Sequence, residues 1–261
     1  DTAGTGGDGA NTINITTAAS LVAAAGGVKM IKCGNRSVSS KSGSADVLEA
    51  LNIPLDLDPD RAVRQFESSN FTFLFAPAYN PAIAFVQPVR KALGISTIFN
   101  TLGPLLSPAR PEFQIMGIAN PQLGPIIAET MKDLGRGRAF VVHGAGTDEI
   151  AVHGETLVWE LADGEITHYT VTPDDLGVRR WSLDDLRGGD GAENAAFMRT
   201  TFAGEGPEAH RDAVAVNAGA MFYLYGIADS LAAGTEHAKR LLADGTVAQW
   251  LATHEEADYS V

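Results

Sequence analysis

A glycine-rich turn opens the sequence and has the residue types that can hold an anion. Residues 1–8 read DTAGTGGD, and Asn14, Thr16 and Thr17 precede an apolar run that predicts a helix from Ala18 to Ala25. Glycine lets backbone N–H groups approach an anion closely, and the N-terminus of a helix supplies further N–H donors. A surface turn in front of a capped helix has the same composition, so the rest of the sequence has to decide between the two.

The second feature is a basic loop, residues 32–44 (KCGNRSVSSKSGS), on a chain that is otherwise acidic. It follows a predicted strand, Val28 to Ile31, and precedes a predicted helix, Ala45 to Leu51. Lysine provides a point charge, serine hydroxyls and backbone amides provide directional donors, and Ser44 is placed to cap the helix. One such loop is often ordinary surface. Two of them, each between a strand and a helix, favour phosphate binding.

The third feature is a pair of adjacent carboxylates on a glycine turn. Asp148 and Glu149 lie in the run HGAGTDEI (143–150), directly after a predicted strand from Arg138 to Val142. Mg²⁺ is usually held by one or two carboxylates together with substrate phosphates. Alone, the turn is typical of exposed acidic surface. Beside two phosphate loops, it predicts a metal-bridged diphosphate. His143 is predicted to make a structural hydrogen bond rather than to act as a base.

The elements that position these loops alternate between strand and helix, which predicts an α/β fold with a central, mostly parallel sheet flanked by helices. Further helices are predicted over 60–68, 81–93 and 121–134 and from Glu193 onward; strands over 71–75, 114–119 and 138–142; and a hairpin of 156–161 and 165–171. Helix 207–226 is apolar around much of its circumference and is predicted to be buried. Gly103-Pro104, together with Pro108 to Pro111, is predicted to interrupt the secondary structure.

Composition excludes several function classes. The net charge of −13 argues against a nucleic-acid partner and against an anionic membrane, because both attract cationic surfaces. One cysteine in 261 residues excludes an internal disulfide and agrees with a reducing, cytoplasmic location. The chain is long enough to bury a large core, and no apolar run has the length of a membrane span.

Taken in order along the chain, these motifs resemble the anthranilate phosphoribosyltransferase family. The resemblance rests on GTGGD (4–8), NITT (14–17), KCGNR (32–36), SADVLE (44–49), Asp148-Glu149, PVRK (88–91) and FNTLGPL (99–105). It implies the nucleoside-phosphorylase-like fold and transfer of a 5-phosphoribosyl group from phosphoribosyl pyrophosphate to the amine of anthranilate, with release of pyrophosphate, in tryptophan biosynthesis. It also implies Mg²⁺ as two ions and no obligate acid or base residue.

The resemblance further implies roles for individual residues. The residues expected to bind phosphoribosyl pyrophosphate are Gly4, Gly7, Asp8, Thr12, Asn14, Ile15, Thr16, Thr17, Lys32, Gly34, Asn35, Arg36, Ser39, Ser40 and Ser44. The residues expected at the acceptor are Gly4, Asn35 and Arg90, whose guanidinium matches a carboxylate, with Cys33 and Asn80 lining the pocket. The expected metal residues are Thr16, Asp148 and Glu149.

The resemblance also sets expectations for domains and assembly. Residues 1–76 and 112–261 are expected to form the α/β domain that binds the diphosphate, and 77–111 part of a small helical domain across a cleft. The family has an N-terminal helical segment that contributes to its dimer surface, and this sequence begins at the glycine loop. A homodimer is expected where that segment is present.

Three residues depart from the family pattern, and two of them, Cys33 and Asn80, leave alternatives open. Cys33 and Asn80 stand where the family usually has histidine on the acceptor's path, and Thr16 stands where it often has a metal-binding serine. The phosphoribosyl half of the site is therefore intact, and the acceptor half is altered. The alternatives are a phosphoribosyltransferase for another aromatic acceptor, an enzyme like pyrimidine nucleoside phosphorylase, which does not need the acidic turn, and a non-catalytic homologue that binds nucleic acid.

Overall fold

The computed structural model describes residues 1–36, 41–79 and 98–259, and it has a mixed α/β fold. Its strands are β1 (Thr2–Gly4), β2 (Met30–Gly34), β3 (Phe71–Phe75), β4 (Phe113–Gly117), β5 (Arg138–Gly144), β6 (Thr156–Ala162) and β7 (Glu165–Val171). Its helices are α1 (Ile15–Ala25), α2 (Ser44–Ala50), α3 (Pro59–Ser69), α4 (Ala76–Tyr79), α5 (Ile98–Leu105), α6 (Gly124–Asp133), α7 (Gly191–Phe202), α8 (Glu208–Tyr225), α9 (Leu231–Ala243) and α10 (Thr246–His254). Short 3₁₀ turns cover Pro121–Leu123 and Leu183–Leu186.

The strands form one five-stranded sheet and one two-stranded sheet. The larger sheet has the order β1-β4-β5-β6-β7, in which β1, β4 and β5 pair in parallel and β5, β6 and β7 pair antiparallel. The smaller sheet is the parallel pair β2-β3. The predicted α/β class and the predicted hairpin are therefore confirmed. Because parallel strands end at the same edge, the segments after β1 and β5 are brought together there.

The core lies between the sheets and the C-terminal helices. Helix α8 is buried on nearly every face, as predicted, and α1 packs directly against it. Helix α1 is rich in alanine, so its backbone can approach α8 closely, and most of its side chains are fully buried. Within the described ranges, no helix combines the length and the apolar composition that a membrane crossing requires.

Three predictions about local structure were wrong. The strand predicted at 28–31 lies at Met30–Gly34, so Lys32 belongs to the strand, where its backbone pairs with Phe73 of β3. The N-cap of α2 is Gly43, whose N–H donates to Asp46 Oδ2 at 2.8 Å, and Ser44 is the first helical residue. The interruption predicted for Gly103-Pro104 with Pro108 to Pro111 begins only after Leu105, because α5 continues through Pro104; a proline near a helix end removes only one N–H donor.

The predicted helix 81–93 lies outside the described residues, and so does most of the predicted small domain, 77–111. The flanking helices α4 and α5 are described. The domain boundary at these positions stays a prediction.

The crossing of α8 and α9 generates a stability prediction. A Cβ at Gly234 would overlap the carbonyl group of Gly219, because the two helix backbones touch there. We expect Gly234→Ala to lower the free energy of unfolding by roughly 1–3 kcal/mol, as overpacking does. The matched control is Gly103→Ala in α5, where nothing in the described chain lies within 4 Å of the added Cβ. Urea denaturation measures both, and equal effects of the two substitutions would contradict the prediction.

Candidate active site

The glycine loop after β1 and the acidic turn after β5 meet at the carboxyl edge of the sheet. The Gly6 N–H donates to Asp148 Oδ2 at 2.6 Å, and the Asp148 N–H donates to Asp8 Oδ2 at 3.4 Å. Gly6 and Gly7 have φ values of 65° and 82°, a region that side chains rarely enter, which explains glycine at both positions. The loop therefore directs the Gly6 N–H toward a carboxylate across the sheet.

Three glycines allow the acidic turn to approach this edge. A Cβ at Gly4 would overlap the Asp148 carboxylate, and a Cβ at Gly117 would overlap the Asp148 carbonyl oxygen. A Cβ at Gly144 would overlap the Glu149 carbonyl oxygen. The turn lies in a cradle that any side chain at these positions would fill.

Glu149 points to the N-terminus of α1. Its Oε1 accepts hydrogen bonds from Thr16 Oγ1 at 2.8 Å and from the Thr16 N–H at 3.3 Å. Burial, followed by the neighbouring Asp148 carboxylate, raises the pKa of Glu149 to about 8. Burial, followed by the Asp8 carboxylate, raises the pKa of Asp148 to about 6. The geometry therefore brings acidic groups together, and without a cation it favours their protonated forms.

Lys32 supplies the opposing charge from β2. Its side chain is only 2% exposed, and Nζ donates to the Thr2 carbonyl of β1 at 2.8 Å, which links the two sheets. Burial lowers the pKa of Lys32 to about 8, and the Glu149 carboxylate opposes that shift. An ammonium group has three N–H donors, so Lys32 can bind an anion while it keeps the bond to the Thr2 carbonyl.

Asn14 connects the glycine loop to the basic loop. Its Nδ2 donates to the Ser42 carbonyl at 3.1 Å, and its Oδ1 accepts from Nδ2 of Asn194 at 2.7 Å. The segment before α7 lies against the segment between the glycine loop and α1, because the backbones of Thr12 and Arg187 pair in an antiparallel β-bridge. Residues 187–194 carry no motif that the sequence analysis recognised. A polar asparagine on the buried face of a helix was the available signal.

A second asparagine that sequence reasoning missed holds the acidic turn. Asn217 of α8 accepts from the Ile150 N–H and donates to the Ile150 carbonyl, both at 3.0 Å. Ile150 directly follows Glu149, so this pair of bonds ties the turn to the core helix. Thr156 adds a bond, because its hydroxyl accepts from the Ala151 N–H at 2.9 Å.

Three other predicted residues, Gly34, Asn35 and Arg36, lie at the edge of the candidate site. The Arg36 guanidinium is exposed and binds Glu49, with N–O distances of 2.6 and 3.1 Å, and it also contacts Asp46 at 3.5 Å. Asn35 Oδ1 accepts from the Arg36 N–H, and Gly34 packs against the ring of Phe73. The structure therefore directs Arg36 to carboxylates of α2 rather than toward the glycine loop.

The remaining predicted residues are partly buried or lie elsewhere. Ile15 and Thr17 turn their side chains into the core, so only their backbones are placed to meet a ligand. Cys33 is partly buried, and burial raises the pKa of its thiol. His143 makes the hydrogen bond predicted for it, from Nδ1 to the Ile118 carbonyl at 2.8 Å. Four predicted site residues, Ser39, Ser40, Asn80 and Arg90, lie outside the described residues.

The donors at the acidic turn fit a hard divalent cation. Asp8, Asp148, Glu149 and the Thr16 hydroxyl present only oxygen atoms, and a cation would favour the ionised forms of the carboxylates. Across the described ranges, no group of three or more histidine, cysteine, aspartate or glutamate side chains is arranged to enclose a metal ion. Mg²⁺ takes few protein ligands and completes its shell with phosphate and water, so the oxygen donors of Asp8, Asp148, Glu149 and Thr16 fit it.

Comparison with known proteins identifies the family. A model of the glycosyl transferase family, a/b domain, matches residues 1–248. Anthranilate phosphoribosyltransferases from Corynebacterium diphtheriae and Corynebacterium efficiens are 72% and 75% identical to this chain over 260 residues, and it spans 76% of the length of each. The chain belongs to the anthranilate phosphoribosyltransferase family. The predicted resemblance and enzyme class are confirmed.

Solved structures of the family agree with this assignment. Anthranilate phosphoribosyltransferase from Thermus thermophilus is 44% identical, with a TM-score of 0.91, and the match covers 97% of this chain and 76% of that one. The Saccharomyces cerevisiae enzyme, solved in complex with PRPP and Mg, is 27% identical, with a TM-score of 0.86, over 98% of this chain and 72% of that one. The predicted fold class is confirmed by both.

The raised pKa of Glu149 predicts a pH dependence of stability. Its ordinary value is 4.5 and its folded value is about 8, so between these pH values the folded state holds more protons than the unfolded state. The free energy of unfolding therefore falls as the pH rises through this interval. Glu149→Gln removes that dependence and keeps an oxygen that accepts from Thr16. In calorimetry without divalent cations, we expect the free energy of unfolding of the variant, relative to that of the parent protein, to increase from pH 5 to pH 8. A difference that is constant with pH would contradict the prediction.

Proposed function

We propose that this chain transfers a 5-phosphoribosyl group from phosphoribosyl pyrophosphate to the amine of anthranilate and releases pyrophosphate. The observation that carries the proposal is the contact of the acidic turn with two anion-binding elements. Asp148 accepts from the glycine loop, and Glu149 accepts from Thr16 at the N-terminus of α1. A family member solved with PRPP and Mg supports the same pair of ligands for this chain.

The chain's own groups then have distinct tasks. The N–H groups of the glycine loop, the amide of Asn14 and the ammonium of Lys32 bind and orient the diphosphate. Bound Mg²⁺ would neutralise charge on the departing pyrophosphate, with Thr16, Asp148 and Glu149 as its protein ligands. The bond from the ribose to pyrophosphate breaks while the amine attacks the opposite face, so positioning and electrostatics supply most of the rate.

Several finer points stay predictions. Two Mg²⁺ ions, a homodimer and the assignment of Arg90 to the carboxylate of the acceptor follow from the family resemblance, and a cytoplasmic location agrees with the single cysteine. The alternative acceptor and the phosphorylase reaction remain testable with the same protein. The acidic turn supports the diphosphate donor over the phosphorylase reaction, which does not need paired carboxylates. The net charge of −13 supports a small-molecule substrate over nucleic acid.

The assay that tests the proposal measures pyrophosphate release from phosphoribosyl pyrophosphate, Mg²⁺ and anthranilate. We expect turnover that requires all three components and is lost when Asp148→Ala and Glu149→Ala are combined. Calorimetry of phosphoribosyl pyrophosphate with and without Mg²⁺ gives a second readout. An affinity that is indifferent both to Mg²⁺ and to the two substitutions would refute the assignment of the metal residues.

Thr16 offers a sharper test of the metal assignment. Thr16→Val keeps the shape of the side chain and removes the hydroxyl, whereas Thr16→Ser keeps the hydroxyl. A lost ligand or hydrogen bond to a charged group costs about 1.5–3 kcal/mol, so the Mg²⁺ concentration for half-maximal rate should rise roughly tenfold or more in the valine variant. The serine variant should stay close to the parent. Equal Mg²⁺ dependence in all three proteins would count against a metal role for Thr16.

The departure at Cys33 predicts a less selective acceptor pocket. Histidine would add a ring face and an N–H donor, so Cys33→His combined with Asn80→His should raise kcat/KM for anthranilate by about one to two decades. The KM for phosphoribosyl pyrophosphate should change little. Cys33→Ser controls for loss of the thiol, and other aminobenzoates test selectivity. If the unaltered protein already uses anthranilate as fast as the double variant, these two positions do not control acceptor choice.

A further inference from the structure

Two asparagine amides form a hydrogen-bonded chain that joins three separate segments. The Gly189 N–H donates to Asn194 Oδ1 at 2.8 Å, and Asn194 Nδ2 donates to Asn14 Oδ1 at 2.7 Å. Asn14 Nδ2 then donates to the Ser42 carbonyl at 3.1 Å. The chain therefore runs from the segment before α7, through the glycine loop, to the basic loop. Asn194 is only 1% exposed, so its amide is enclosed by protein.

The two ends of this chain determine the orientation of both amides. A backbone N–H can only donate and a backbone carbonyl can only accept, so Gly189 requires an oxygen from Asn194, and Ser42 requires an N–H from Asn14. The oxygen and nitrogen of an amide have nearly the same shape, so packing alone does not distinguish them. Asn194 satisfies both requirements because it accepts at one end and donates at the other. With Asn194 in this orientation, only one orientation of the Asn14 amide avoids placing two oxygens or two NH₂ groups against each other.

We propose that Asn194 is a positioning residue that sets the direction of the Asn14 amide and, through it, the spacing between the glycine loop and the basic loop. This inference rests on the proposed function, because Asn14 is there a ligand of the diphosphate. An amide nitrogen carries two N–H groups. One of those on Asn14 binds Ser42, and the second is assigned to the anion. If the amide of Asn14 were rotated by about 180°, it would present its oxygen, and not an N–H, to that anion.

The alternative is that Asn194 only stabilises the packing of α7. Helix α7 packs against α2, and Gly191 of α7 lies against the backbone of Asp46. A packing role predicts that substitutions of Asn194 lower stability and affect the two substrates alike. A positioning role predicts a change in the affinity for phosphoribosyl pyrophosphate that depends on Asn14. The two roles are therefore separable by measurement.

The main experiment is a double-mutant cycle with Asn14→Ala and Asn194→Ala. The dissociation constant for phosphoribosyl pyrophosphate with Mg²⁺ is measured by calorimetry. We expect Asn194→Ala to raise it about tenfold in the parent protein and less than about threefold in the Asn14→Ala background, because residues in one hydrogen-bond network are not additive. Equal fold-changes in the two backgrounds would overturn the inference.

A second variant keeps the test independent of the alanine substitution. Asn194→Asp keeps the acceptor for Gly189 but, when ionised, faces Asn14 Oδ1 with another oxygen, so we expect at least the same loss of affinity. The matched control is Gln65→Glu, which converts another amide, 1% exposed, whose bonds run to the Pro54 carbonyl and the Thr72 hydroxyl. Melting temperatures identify general destabilisation. An Asn194→Asp protein that binds as tightly as the parent, or no more weakly than the Gln65→Glu protein, would overturn the inference.

Limited proteolysis separates failure of this inference from failure of the proposed function. Ser42, the end of the amide chain, directly follows Lys41, which is exposed. Without substrate, we expect trypsin to cleave after Lys41 several-fold faster in Asn194→Asp than in the parent and in Gln65→Glu. If the parent protein does not bind phosphoribosyl pyrophosphate, the proposed function fails, and the cleavage rates alone then decide whether Asn194 anchors the basic loop. Equal rates would overturn that anchoring role.

Discussion

Asp148 and Glu149 are neighbouring carboxylates at one turn, where Asp148 is buried and Glu149 is half-buried. Like charges in such a place repel each other, and each loses its hydration, which is why both pKa values are raised. The arrangement is tolerable because donors face the carboxylates: the Gly6 N–H, the Thr16 N–H and the Thr16 hydroxyl. A buried ammonium, that of Lys32, lies within electrostatic reach. The architecture around the turn can be understood as the means of holding this charge in place.

The constraint explains the glycines and buried asparagines at the sheet edge. The turn can reach the glycine loop only because Gly4, Gly117 and Gly144 lack side chains that would occupy the same space. Its backbone is then held from the far side by Asn217, which bonds both polar groups of Ile150. Buried polar groups of this kind are costly unless they are fully hydrogen-bonded, so each amide both requires its partners and orients them.

The same charges account for the binding of an anionic substrate by an acidic protein. The net charge of −13 repels a diphosphate at long range, where salt screens much of the field. Near the loops, the partial charges of the N–H groups and the ammonium of Lys32 act over a few ångströms in a poorly screened environment. A divalent cation held by the carboxylates would reverse the sign of the local field and so favour a diphosphate. Short-range geometry therefore outweighs overall charge.

Much of the fold and of the site was readable from local sequence. Strand β3 and the hairpin follow from apolar runs and a turn signal, and the two polar loops and the acidic pair follow from residue types that suit phosphate and metal. Other features depend on segments that are distant in the chain. Lys32 belongs to a strand because β3 offers it a pairing partner, and Arg36 binds α2 through Glu49, which lies in the last turn of that helix. Asn194 meets Asn14 across 180 residues, and Asn217 meets Ile150 across 67. Local composition determined which segments could bind an anion, whereas long-range hydrogen bonds between buried groups decided where they meet and in which direction each amide points.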